Sequence, residues 1–185
     1  MNRTAIILNG ASSAGKTLIA TQLLRRLGND VVCTGFDEIL DRLNATSNFF
    51  SRLTQRFDVN FRIKTFRKLH TEILRHLQAS RNIVVDTSMM EPAALSDLAD
   101  KLADQQAFLI GVKPPLEVSE KWEKLRGDRP IGQARKHYDL IHQHGIYDLV
   151  IDTSQMSSAH AADQILMYID QYKPTALKQL KGLLL

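Results

Sequence analysis

Apolar positions along the chain follow two alternating patterns. Short unbroken apolar runs occupy residues 5–8, 31–34, 83–85, 107–112 and 149–151, the form expected of strands covered on both faces. Between them lie longer amphipathic stretches. Residues 16–27 place Leu18, Ile19, Leu23, Leu24 and Leu27 at helical spacing before Gly28, and residues 61–77 repeat the pattern through Phe66, Leu69, Ile73, Leu74 and Leu77, with Arg62, Arg67, Lys68 and Arg75 left for the wet face. Strand and helix in alternation predict an α/β protein with a mostly parallel sheet. Segments 44–60, 126–132 and 173–185 are irregular in pattern; the last starts near a proline and is a candidate final helix. No repeat, low-complexity tract or Pro/Gly-rich linker divides the chain, so one domain spanning residues 1–185 is expected.

Composition narrows the class. With 44% hydrophobic and 24% charged residues in 185, the chain has the balance of a globular domain with a full core. The single cysteine, Cys33, excludes an intramolecular disulfide and favours a reducing, cytoplasmic setting. No apolar run approaches a membrane span, so no membrane partner is expected. The net charge of +4 does not choose among phosphorylated ligands, lipid and nucleic acid. The basic residues of 61–77 read as solvated surface, so no nucleic-acid partner is expected either. His137, His142 and His144 lack the accompanying carboxylates or cysteines of a metal site and read as structural or surface residues.

The chemistry concentrates after the first strand. Gly10, Ala11, Ser12, Ser13, Ala14, Gly15, Lys16 and Thr17 complete a G-x-x-x-x-G-K-S/T phosphate loop between a predicted strand and a predicted helix. Such a loop turns successive backbone N–H groups and a helix N-terminus toward a di- or triphosphate. Lys16 reaches the β- and γ-phosphates, and the Thr17 hydroxyl suits Mg²⁺, which prefers oxygen ligands. Asp86 ends the third strand, where a carboxylate either serves the metal or caps a turn. Asp152 ends the last strand before Thr153 and Ser154 and is read as a cap.

Two features concern the recipient of the phosphate. Asp37 follows the second strand, at the sheet edge where open α/β folds bind ligands, and either deprotonates an acceptor hydroxyl or caps the helix 38–43, alone or with Thr34. Arg126, Gly127, Asp128 and Arg129 precede Pro130 and Gly132 and read as a lid carrying two guanidiniums, against the alternative of an ordinary polar loop. No guanine-specificity motif is present, which disfavours a GTPase. Of the clustered phenylalanines, Phe61 and Phe66 fit a core face, while Phe49, Phe50 and Phe57 fit either packing or an apolar substrate wall.

Together, residues 8–17, 35–37, the strand ending in Asp86, and the course from Gly111 through Arg126–Arg129 to Tyr147, Asp148 and residues 151–153 resemble the chloramphenicol phosphotransferase-like proteins. The resemblance implies a three-layer P-loop kinase fold of the nucleoside- and shikimate-kinase type, with a five-stranded parallel sheet in the order 2-3-1-4-5. It implies transfer of the ATP γ-phosphate to a hydroxyl of a small molecule, chloramphenicol first. Asp37 is then the base, Lys16, Arg126 and Arg129 lie at the phosphates, Thr17 and Asp86 hold Mg²⁺, and residues 44–60 face the substrate. Thr87 departs from the second acidic residue often found at that place in the family. A kinase of another metabolite or sugar nucleotide, and a nucleotide-dependent regulatory protein, are the alternatives. Self-association as a homo-oligomer is left open.

Overall fold

A computed structural model describes residues 3–43, 58–127 and 131–184. The five apolar runs become β1 (Ala5–Asn9), β2 (Val31–Gly35), β3 (Asn82–Thr87), β4 (Ala107–Val112) and β5 (Leu149–Ile151). They pair in parallel in the order β2-β3-β1-β4-β5. β1, β4 and the middle of β3 are buried on both faces, which is why they read as unbroken apolar runs.

Helices cover the two faces unequally. On one side α2 (Phe36–Leu43), α3 (Val59–Gln78), α4 (Pro92–Leu102) and α8 (Ala176–Leu184) close a core around Ile7, Phe66, Leu69, Val85 and Leu109. On the other, α1 (Lys16–Leu27) and α7 (Ser158–Gln171) pack Ile19, Leu23, Ile165 and Ile169 against Leu8, Phe108 and Ile110. The remaining helices, α5 (Leu116–Arg126) and α6 (Gln133–His142), form a hairpin after β4. The C-terminal segment does end in a helix, anchored where Asp148 Oδ1 accepts from the amides of Thr175 (2.7 Å) and Ala176 (3.0 Å), with Leu177 and Leu180 buried beneath it.

Two readings of the apolar pattern are corrected. Leu18 shares the helical spacing of the core residues but is 64% exposed, because α1 buries Ile19, Ala20 and Leu23 and turns Leu18 outward. Arg62 does not lie on the wet face of α3: its side chain is only 13% exposed, folded inward over the Phe36 ring.

Connections from β1 and from β3 leave in opposite directions across the sheet. This opens a crevice above the C-terminal strand ends, where such folds bind ligands. The register defines its floor: Leu8 and Gly35 both pair with Asp86, and Asn9 pairs with Thr87 and Gly111.

Candidate active site

The loop from Gly10 to Thr17 owes its shape to contacts that exclude larger residues. A Cβ on Gly10 would lie 2.3 Å from the Val112 carbonyl oxygen, so β1 can leave the sheet there only as glycine. Gly15 has φ +91°, a backbone conformation that L side chains rarely adopt; the space beside it is not the constraint, since a Cβ there would lie at ordinary contact distance, 3.4 Å, from the Thr153 side chain. Ser13 has φ 60°, uncommon for a residue with a side chain. Thr153 fastens the loop from outside, its hydroxyl donating to the Ala14 carbonyl at 2.9 Å. Lys16, almost buried, donates to the Ala11 carbonyl at 2.9 Å across its own loop.

Asp86 closes the other side of the crevice. Its carboxylate accepts from the Thr17 hydroxyl at 2.8 Å and lies 3.7 Å from the Lys16 ammonium. Lys16 and Thr17, adjacent in the chain, and Asp86, 69 positions beyond Thr17, are thus drawn to one point. Thr87 points to the opposite side of β3, where its buried hydroxyl donates to the Leu8 carbonyl at 3.0 Å. The departure at that position therefore braces β1 against β3. Beside Asp86, a Cβ on Gly35 would lie 2.7 Å from the Asp86 carbonyl, so β2 must pass this residue as glycine.

Asp37 stands two residues beyond Gly35, exposed in the first turn of α2. The helix begins at Phe36, ahead of the predicted 38–43, which places Asp37 inside it rather than before it. A carboxylate in the first turn is favoured by the helix dipole. Thr34 caps nothing: its hydroxyl is buried without a hydrogen-bond partner. Asp152 makes a local turn, accepting from the Ser154 amide (2.8 Å) and hydroxyl (2.7 Å), while Ser157 caps α7.

Arg126 is the last residue of α5, so the segment expected to form a lid starts at a helix end, with Gly127 in the left-handed region. Arg129, the other arginine expected in the lid, and Phe49, Phe50 and Phe57 lie outside the described residues, as does most of segment 44–60, expected to face the substrate. Phe66 is buried against Phe36, their ring centroids 4.5 Å apart, and Phe61 packs on the same core. Glu123, only 1% exposed, holds the hairpin together by accepting from the amides of Gly132 (2.7 Å) and Ala134 (2.8 Å).

A polar node absent from the sequence reading joins the hairpin to the phosphate loop. Asn9 Oδ1 accepts from the Met89 amide at 2.9 Å, and Asn9 Nδ2 donates to the Tyr147 hydroxyl at 3.4 Å. That hydroxyl donates to the Ile141 carbonyl at 3.2 Å and lies 2.8 Å from His142 Nδ1. With the Tyr147 proton given to Ile141, His142 must donate, which assigns the Nδ1-protonated tautomer. Burial holds the His142 pKa down at about 4 and pushes the Tyr147 phenol well above its ordinary value, so both are neutral. A Cβ on Gly111 would fall 2.9 Å from the Tyr147 ring, so this tyrosine stands where only glycine leaves room. The signal in the sequence was the Gly111 and Tyr147 pair, whose contact only the fold reveals.

The residues present fit a nucleotide with its metal. The Ser13 hydroxyl oxygen is buried in the loop without a partner, as a group directed at a ligand oxygen would be. Thr17 and Asp86 offer two hard oxygen donors side by side. Among the described residues no cluster of three or more His, Cys, Asp or Glu could enclose a metal by itself. Two protein donors suit Mg²⁺, which usually keeps water and phosphate oxygens in its shell.

A phosphate loop entering α1, a strand-end carboxylate bonded to its threonine, and a 2-3-1-4-5 sheet define a P-loop kinase. Within that class the chain belongs to the chloramphenicol phosphotransferase-like protein family, which it matches over residues 3–170. No individual curated protein matches it significantly. Among solved structures it is similar to the shikimate kinase from Acinetobacter baumannii in complex with shikimate, at 20% identity and TM-score 0.62, over 91% of this chain and 94% of that one. The APS kinase of Mycobacterium tuberculosis in complex with AMPPNP and APS is similar at 17% identity and TM-score 0.64, over 91% and 98%. A sugar kinase from Janibacter sp. is similar at 15% identity and TM-score 0.71, over 91% and 95%. These likenesses establish the fold. Among the described residues no helix is long and apolar enough to cross a membrane.

Proposed function

We propose that this protein is an ATP- and Mg²⁺-dependent O-phosphotransferase acting on a hydroxyl of a small organic molecule, with chloramphenicol as the first acceptor to test. The observation that carries the reading is the placement of Asp37 two residues past Gly35, whose register partner Asp86 is bonded to Thr17. A proton-accepting carboxylate and a phosphate-binding loop then border one crevice. The family's description supplies the choice of chloramphenicol.

Each residue is given the role that its chemistry and its place in the sequence support. The backbone of residues 10–17 holds the phosphates, and Thr17 with Asp86 holds Mg²⁺. Mg-ATP, when bound, supplies the phosphoryl group and neutralises part of its charge. Asp37 orients the acceptor hydroxyl and takes its proton as the new O–P bond forms and the bond to the ADP oxygen breaks. Lys16 stabilises the charge gathering on the β- and γ-oxygens. Arg126 and Arg129 close over the transferring group and exclude water.

The test is incubation of the protein and Asp37→Asn with Mg-ATP, chloramphenicol and a pooled panel of hydroxylated metabolites, followed by mass spectrometry for phosphoryl adducts. A chloramphenicol adduct that disappears in the variant supports both base and acceptor. An Asp37-dependent adduct on another metabolite or a sugar nucleotide keeps the mechanism and replaces the acceptor. Nucleotide binding with no adduct on any alcohol would overturn the kinase reading in favour of a regulatory protein.

A further inference from the structure

The cation that the described residues bring to Phe36 and the loop after β3 is already committed. Arg62 Nε donates to Glu91 Oε1 at 2.5 Å, with side chains 13% and 9% exposed. The guanidinium lies 4.8 Å from the Phe36 ring centroid and 5.8 Å from that of Phe66, and its Nη2 donates to the Ser88 carbonyl at 3.4 Å. The second oxygen of Glu91 accepts from the Met90 amide at 3.3 Å. Ser88 in turn donates to the Gly10 carbonyl at 2.8 Å, so the pair adjoins the entry to the phosphate loop. Phe36 immediately precedes Asp37. From the other side His137 on α6 falls within electrostatic reach of both Arg62 and Glu91, which places the helix after the lid over the same ground.

We infer that Glu91 determines the class of acceptor: by neutralising Arg62 on the acceptor side of the crevice, it makes this a site for uncharged alcohols and excludes acceptors bearing a carboxylate, sulfate or phosphate. This rests on the phosphotransferase reading above. An arginine stacked on an aromatic ring beside the catalytic carboxylate would otherwise be a ready partner for an anionic substrate, since its planar fork matches such groups. With Glu91 in place, an anion must either displace a nearly buried carboxylate, leaving that charge unpaired, or lie beside it and be repelled. A neutral hydroxyl compound meets neither obstacle.

Two measurements separate this inference from the reading it rests on. The first needs no turnover: the ¹⁵Nε–¹Hε resonance of Arg62, identified by its loss in Arg62→Lys, is followed in Mg-AMPPNP-loaded protein during a titration with sodium benzoate. The wild-type resonance is expected to stay in place, and that of Glu91→Gln to move with a saturating response. A wild-type resonance that shifts as readily would overturn the inference, and this arm decides even where Glu91→Gln does not fold. The second is phosphoryl transfer to matched acceptors, each neutral alcohol beside its carboxylate counterpart. Wild type is expected to favour the neutral member by a hundredfold or more in kcat/KM, and Glu91→Gln to reduce that ratio at least tenfold. Equal ratios in the two proteins would overturn the role of Glu91; transfer to no acceptor would instead overturn the phosphotransferase reading and leave the resonance titration to judge Glu91.

Discussion

Gly10→Ala tests the geometry on which the phosphate loop depends. The added methyl would be placed 2.3 Å from the Val112 carbonyl oxygen and 3.2 Å from the Val112 Cβ. Ordinary contact begins near 3.4 Å, so β1 and β4 must part by about 1 Å, in a region that interior packing leaves no slack to absorb. The obstacle is backbone, paired in register on both sides: Asn9 with Gly111, and Val112 with Ile151. No rotamer change relieves it. Overpacking of this kind typically costs 1–3 kcal/mol, and a backbone obstacle belongs at the upper end, about 3 kcal/mol. In a chain of this size that lowers the melting temperature by roughly 6–12 °C. Urea unfolding followed by circular dichroism reads the free energy directly. Gly182→Ala is the control: it lies in α8 with nothing within 4 Å of the added atom, and is expected to gain up to about 1 kcal/mol from helix propensity. If Gly10→Ala unfolds within about 1 kcal/mol of wild type, the reasoning from the Val112 contact is refuted.

Three further outcomes follow from the same geometry. Lys16→Ala should reduce phosphoryl transfer to background while the fold persists, since the ammonium lies at the loop and Asp86 rather than in the core; normal turnover in a steady-state assay would contradict its role. Tyr147→Phe removes the partner of His142 Nδ1, Asn9 Nδ2 and the Ile141 carbonyl, and should cost about 1–3 kcal/mol in urea unfolding. His142 has a folded pKa of about 4 against an ordinary value of 6.5, so below 6.5 the unfolded chain binds the extra proton; stability is complete above 6.5 and falls as pH drops toward 4, by about 3 kcal/mol. His142→Asn should flatten part of that slope, leaving the contribution of buried His70, whose pKa burial also lowers.

What the sequence disclosed depended on how local each signal was. The strands were readable because burial on both faces leaves unbroken apolar runs, and the loop because its glycines, lysine and threonine are contiguous. Strand order was not in the pattern; it followed from the family resemblance and matches the observed sheet. Asp86 could be singled out at a strand end, but its bond to Thr17 spans 69 positions and belongs to the register of β1 with β3. Arg62 and Leu18 were misplaced for a shared reason. Helical spacing assigns a direction by residue type, whereas the packed neighbours decide it: Arg62 turns inward because Glu91 and Phe36 receive its charge and its plane, and Leu18 turns outward because α1 buries the adjacent face.

The site's parts are coupled through the end of β1. Asn9 is fully buried and connects three elements: Met89 after β3, Thr87 within it, and Tyr147 before β5. The Gly10 carbonyl next to it accepts from Ser88, which also receives Arg62. The 10–17 loop, the segment that carries Glu91 and the tyrosine that supports the α6 end of the α5–α6 hairpin therefore share one buried polar network. In such a setting a group left unpaired is costly, so each segment's position constrains the others. On the proposed reading, an acceptor bound against residues 88–91 would act on the same hydrogen bonds that place Gly10, and movement of the α5–α6 hairpin would act on Tyr147 and through it on Asn9. If the site works as proposed, acceptor choice and phosphate positioning are joined through this network, and substitutions at Ser88 or Glu91 are expected to alter nucleotide affinity where changes on the outer face of α3, at Lys64 or Lys68, leave it unchanged in a binding titration.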